Sequence, residues 1–300
     1  MLEASRCFAR ALALDPEFGA VHLEVGQQLL YSAVLGLAAP QQISAQARSE
    51  VARALDLDDG LGEAHAGLGT LRALFDFDWA GAESAFSSAL EREPSSASIL
   101  RGHVCTVLAP LLRLEQAEVE AAEALELDPL CPESHFVKAL VLFFRRQYDR
   151  AEASMRTTLE LGGANPFVQW VGGVIAALQG RGEEAIAICE TAVRQYGKSP
   201  MLSAGLGMIY GLTGRAAPAR EALAQLARDG AATYVSPIYR AWVHMGLDEI
   251  DDAFLWLDRA IDARDPHILH LAVKPVYDRL RGDPRFDQLL RKMGLPGGTA

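Results

Sequence analysis

Seven alanines recur along this 300-residue chain at intervals that permit few architectures. They are Ala47, Ala82, Ala117, Ala151, Ala185, Ala219 and Ala253, spaced by 35, 35, 34, 34, 34 and 34 residues. Four residues after each comes an apolar side chain in almost every copy: Val51, Phe86, Ala121, Met155, Cys189, Leu223 and Leu257. Seven after comes a mostly small one: Ala54, Ala89, Ala124, Thr158, Ala192, Leu226 and Ala260. Positions i, i+4 and i+7 lie along one face of a helix. A stop follows twelve residues after the marker in most copies, at Asp59, Pro94, Pro129, Gly163, Gly197 and Asp265. Small residues let helices approach closely, and a ring such as Phe86 fills the space beside them. The period therefore predicts stacked helices.

Each unit also carries an earlier helix. In "SAGLGMIYGLTGR", Leu206, Gly207 and Tyr210 precede a turn at Gly214, and "AHAGLGTLRAL" places Leu68 and Gly69 alike. Glycine costs about 1 kcal/mol inside a helix relative to alanine, so its presence points to a close neighbour. Each unit reads as helix, turn, helix, and no strand-like alternation competes. A further copy, Ala4, Phe8, Ala11 and Pro16, lies 43 residues upstream of the next marker. The extra residues fall in "VLGLAAPQQIS", read as a longer turn. The expected organisation is a half repeat over 1–16, about seven repeats over 17–265 and a capping segment over 266–300.

The Leu-Gly…Tyr of the first helix, the Ala…Phe…Ala of the second and the closing proline resemble the tetratricopeptide repeat (TPR). The resemblance covers Met1 to about Asp265. It implies an all-α, right-handed superhelical solenoid, because one hairpin cannot bury its own apolar faces and stacked neighbours can. Two longer phrases are similar to those of a narrower group of bacterial signalling proteins, in which such an array follows a winged-helix, Ser/Thr kinase or cyclase-like domain. They are "FDFDWAGAESAFSSALEREP" and the ending from "YVSPIYRAWVHMGLDEIDDAFLWLDRAIDARDP" to "PVYDRLRGDPRFDQLLRKMGL". The match implies a last helix over Pro284–Met293 that caps the stack with Phe286, Leu289, Leu290 and Met293. None of the output-domain residues are present in this sequence. Either the chain is a piece of a longer protein, the preferred expectation, or it is a stand-alone array whose first helix meets another molecule, possible as a homodimer through the half repeat.

Composition narrows the function. Half the residues are hydrophobic and net charge is −11, which disfavours nucleic acid and anionic membrane surfaces as partners. The basic residues after Val273 are interleaved with Asp278, Asp283 and Asp287. No apolar run reaches the roughly 18 residues of a membrane span. The start lacks the long apolar centre of a signal peptide. Cys7, Cys105, Cys131 and Cys189 form no close pair and read as free thiols in a reducing, cytoplasmic setting. His267 and His270, with Asp265 nearby, make at most a partial metal set and read as structural. Paired acids Glu183–Glu184 and Asp251–Asp252 open second helices, where they favour the helix dipole. With no nucleophile motif and no phosphate loop, neither catalysis nor a cofactor is expected.

Binding is therefore expected on the concave face lined by first helices. By register, one inner row is Ala66, Ile99, Phe136, Trp170, Ala204 and Ile238, and a second is Thr70, His103, Leu140, Val174, Met208 and Trp242. The rows lack the Lys and Asn with which family members clamp a peptide carboxylate. The candidate partner groove is Phe136, Leu140, Phe143, Trp170, Val174 and Met208, suited to an amphipathic helix or extended peptide. A non-catalytic protein-interaction scaffold is the expected function, and a sensory array of a larger signalling protein is the alternative.

Overall fold

The computed structural model describes residues 2–297, and among these there is helix but no strand. A lone helix α1 (Leu2–Leu14) precedes seven antiparallel hairpins. The first three are α2/α3 (Gly19–Val34, Pro40–Leu57), α4/α5 (Gly62–Leu71, Trp79–Arg92) and α6/α7 (Ala97–His103, Leu114–Leu127). Next come α8/α9 (Pro132–Phe144, Tyr148–Glu160) and α10/α11 (Pro166–Leu178, Gly182–Tyr196). The last two are α12/α13 (Pro200–Leu212, Ala216–Gly230) and α14/α15 (Pro237–Gly246, Ile250–Asp262). Two short 3₁₀ turns, Pro266–His270 and Pro275–Leu280, lead to α16 (Pro284–Lys292). Proline at the first position and side-chain caps such as Asn165, Ser199 and Asp283 start these helices, satisfying N–H groups that have no partner inside the helix.

The repeat register is the packing register. All seven marker alanines are fully buried. In three copies the side chain four residues later, Val51, Phe86 or Cys189, presses against a glycine in the first helix of its own hairpin. A Cβ on Gly69 would lie 2.8 Å from the Phe86 ring, and one on Gly173 would lie 2.5 Å from the Cys189 sulfur. Glycine is thus required in the first helix by the ring or sulfur opposite it.

The spacing of 35 in the first two intervals also has a structural cause. Each of these intervals contains a π-helical stretch, Arg72–Asp76 or Val104–Leu108. A π turn closes i→i+5 bonds and absorbs one added residue. Among the described residues the 34-residue intervals have none. The turns inside hairpins are uniform as well. Leu112, Arg146, Gly180, Gly214 and Asp248 all have positive φ and recur every 34 residues. Each is bracketed by a bond of the Arg215 N–H to Tyr210 C=O kind, the left-handed C-terminal motif.

The long turn Leu35–Ala39 links the two ends of the array. Gly36, at φ 68°, lies so close to α14 that a Cβ would meet the Tyr239 hydroxyl at 2.6 Å. Gln41 Nε2 donates to the Asp262 carbonyl at 3.4 Å, Trp79 Nε1 donates to the Met293 carbonyl at 2.7 Å, and the Arg264 guanidinium stands 4.1 Å from the Phe77 ring centre. The first two hairpins therefore meet the last one. α16 caps the stack as its apolar face implies, with Phe286, Leu290 and Met293 buried.

Candidate binding surface

The structure brings the six candidate groove residues into one neighbourhood. Leu140, Phe143, Trp170, Val174 and Met208 are all buried there, and only Phe136 is partly exposed. The sequence register placed them on first helices, and so they are, but they lie within the apolar core, and residues 265–281 run against Trp170 and its neighbours Phe167 and Trp242. Trp170 stacks on Trp242 with ring centres 4.4 Å apart. His267 packs edge-on to Trp242 at 5.3 Å and beside Phe167 at 5.8 Å. Lys274 Nζ lies 5.6 Å from the Trp170 ring centre and 6.0 Å from that of Phe167, a cation–π arrangement. Trp242 Nε1 donates to the Tyr277 hydroxyl at 3.3 Å. At the segment's far end Arg146 grips Asp278 through two bonds of 2.9 and 2.5 Å.

The enclosed polar groups are strongly perturbed. Burial raises the Asp265 carboxyl to about 6, against hydrogen bonds from Ser236 and from the His267 and Ile238 amides. Burial lowers the Lys274 ammonium to about 8, against the attraction of Asp265. Burial and the Lys274 charge lower both His267 and His270 to about 3, so both rings are neutral near pH 7. Asp265, His267 and His270 do not converge. Asp265 accepts from Ser236 Oγ and the His267 amide, whereas His270 Nε2 bonds the Cys105 carbonyl at 2.8 Å. A different trio, His244, Glu249 and Asp252, brings potential ligand atoms within 4.8 Å. Glu249 is already engaged there, by His244 at 2.7 Å and by Arg220 at 2.8 Å.

The bond to Cys105 has a local origin. In the π stretch the Ala109 N–H bonds Val104 instead of Cys105, and the next residue, Pro110, has no N–H. The Cys105 carbonyl is left without a helical donor, and His270 supplies one.

The inner face remains open at its N-terminal end. A cleft of about 280 Å³ is walled by Leu30, Tyr31, Ala66, Thr70, Leu74 and Ile99 from the first three hairpins. Ala66, Thr70 and Ile99 belong to the inner rows drawn from sequence. Leu30 and Tyr31 of α2 were missed, because the longer first repeat breaks the register that located the others. Leu269 packs into the same apolar cluster as Leu30, Leu74 and Ile99, so the covering segment ends where the cleft begins. The acids that open second helices carry ion pairs between repeats: Arg215 reaches Glu183 at 2.5 Å and Arg285 reaches Asp251 at 2.7 Å.

The tetratricopeptide repeat family model matches residues 136–200. A comparison with curated protein sequences gives no significant match. Among solved structures, the Cut9–Hcn1 assembly of the APC/C aligns with TM-score 0.59 and 13% identity, covering 96% of this chain and 55% of that one. PilW, described as a type IV pilus biogenesis factor, aligns with TM-score 0.56 and 18% identity, covering 72% of this chain and 94% of that one. A thermophilic TPR protein of Thermus thermophilus, TTC0263, aligns with TM-score 0.55 and 21% identity, covering 64% of this chain and 98% of that one. These likenesses concern the fold, which is generally non-catalytic and used for protein–protein interaction. Among the described residues no helix is long and apolar enough to cross a membrane. The repeat register and the shared architecture give this chain the fold of a tetratricopeptide-repeat solenoid, and the family model itself matches it over residues 136–200.

Proposed function

We propose that the protein is a non-catalytic interaction scaffold that holds an apolar peptide segment of a partner protein in the cleft between α2, α4 and α6. The observation that carries this reading is the contrast along one inner face. Its C-terminal half is covered by the chain itself, while at its N-terminal end Tyr31 is half exposed and Ala66 and Thr70 are partly exposed at the cleft. A groove lined by successive first helices suits an amphipathic helix or an extended chain, and an exposed tyrosine at its edge is a common anchor type. The four separated, free cysteines favour a reducing, cytoplasmic setting. The test is cross-linking in cells followed by measured affinity for the identified peptide. Tyr31→Ala and Ala66→Arg should each weaken binding at least tenfold with helix content unchanged, and retained affinity in both would end the proposal.

A second reading, the regulatory array of a larger bacterial signalling protein, is favoured by one contact set. The two phrases that carry the narrower resemblance touch each other: Trp79 of the first bonds Met293 of the last, and Arg264 covers Phe77. Detection of the endogenous chain at well above 32.4 kDa supports it, and a band at that mass counts against it.

A further inference from the structure

We propose that residues 265–281 are a built-in occupant of the inner face, a detachable strap that masks the Trp170–Trp242 surface and competes with partner segments extending from the open cleft. This rests on the inner face being the binding face, and it adds regulation to that reading.

Three observations carry it. The strap lies where the register of the first helices would place a bound peptide, over Trp170 and Trp242. It is built unlike the hairpins of the array, as two 3₁₀ turns. Its main fastenings are His270 to the Cys105 carbonyl, Lys274 over Trp170 and Phe167, Tyr277 to Trp242, and Arg146 to Asp278.

The third observation is an imperfect seam. His267 Nε2, on the strap itself, is buried with no hydrogen-bond partner among the described residues, and the Lys274 side chain beside it is buried as well. Buried polar atoms in a folded chain are almost always bonded, and unbonded ones weigh against the closed arrangement. Opening would let water satisfy His267 Nε2 and rehydrate Lys274. The closed state is therefore held by a few named polar and aromatic fastenings together with apolar contact, against the cost of burying His267 Nε2 and Lys274. Because Leu269 belongs to the cluster at the cleft's end, a partner chain lengthening beyond the cleft must displace the strap first.

Hydrogen exchange on the intact wild-type chain tests this without any partner. The bonded amides of His267, Leu271 and Tyr277 should exchange together, at least about 100-fold faster than core amides of α10, α12 and α14, as expected for a sub-global opening. Exchange at the same rate as those helices would overturn the proposal, since the strap would then be core. The variant Arg146→Ala/His270→Ala should quicken strap exchange at least tenfold while α10–α14 stay protected. If exchange in α10–α14 rises equally, the proposal fails; if that variant does not fold, the wild-type rates decide. A wild-type strap that opens while Tyr31→Ala leaves partner affinity intact would retire the cleft reading and keep the strap.

Discussion

His270→Ala is the perturbation whose cost the structure resolves best. The His270 Nε2–H donates to a carbonyl that the π stretch and Pro110 deprive of any helical donor. Truncation leaves that carbonyl buried and unbonded, which costs about 1–3 kcal/mol. The ring also stacks on Phe144, with centres 5.2 Å apart, and its loss adds about 0.5–1.5 kcal/mol. The expected total is about 3 kcal/mol of stability, measured by urea unfolding. His270→Gln keeps a donor at similar reach and should lose only the ring contribution. Pro110→Ala restores an N–H that can continue the i→i+5 ladder to Cys105. In that background His270→Ala should cost about 1 kcal/mol less, because only one of two donors is removed. Equal losses from His270→Ala in both backgrounds, or from the Ala and Gln variants, would refute the carbonyl argument.

Four other outcomes follow from named contacts. His267 and His270, lowered from 6.5 to about 3, take up protons more readily when unfolded, so stability should fall as pH drops through 6.5 to 3. Asp265, raised from 3.8 to about 6, acts oppositely between those values and offsets part of the loss; a chain whose stability rises steadily on acidification contradicts both histidine assignments. Lys274, lowered from 10.5 to about 8, should make stability rise with pH between those values, and Lys274→Met should abolish that slope in denaturant titrations. Gly36→Ala forces a side chain into a left-handed backbone against the Tyr239 hydroxyl and should cost about 1–3 kcal/mol, less when combined with Tyr239→Phe, as a thermal-melt cycle would register. Asp248→Gly relieves a positive φ of 62° at an exposed turn, where the ion pair to Arg279 is long, at 3.6 Å; a gain of up to about 1 kcal/mol is expected, and a loss would mean that the pair matters more than the backbone.

What the sequence determined by itself is local and periodic. A 34-residue recurrence of Ala, a filler at +4 and a small residue at +7 can be satisfied only by hairpins that bury the same face in each copy, so the helices, their order and the capping face of α16 were all legible. Where the turns used Gly180 and Gly214 they were legible too. Where they used Leu112, Arg146 or Asp248 they were not, because the motif demands a backbone conformation and not a residue type. The first-helix positions facing inward could also be read, down to Trp170 and Met208. Whether those positions are open could not. That depends on a small rotation added at each hairpin until Gly36 reaches Tyr239 and Trp79 reaches Met293, and on residues 265–281 crossing the interior so formed. Such a sum over the whole array leaves no trace in any one repeat. The cover over Trp170 was therefore decided by tertiary structure alone, as was the donor that His270 gives to Cys105: each pairs residues that only the curvature of the assembled solenoid brings together.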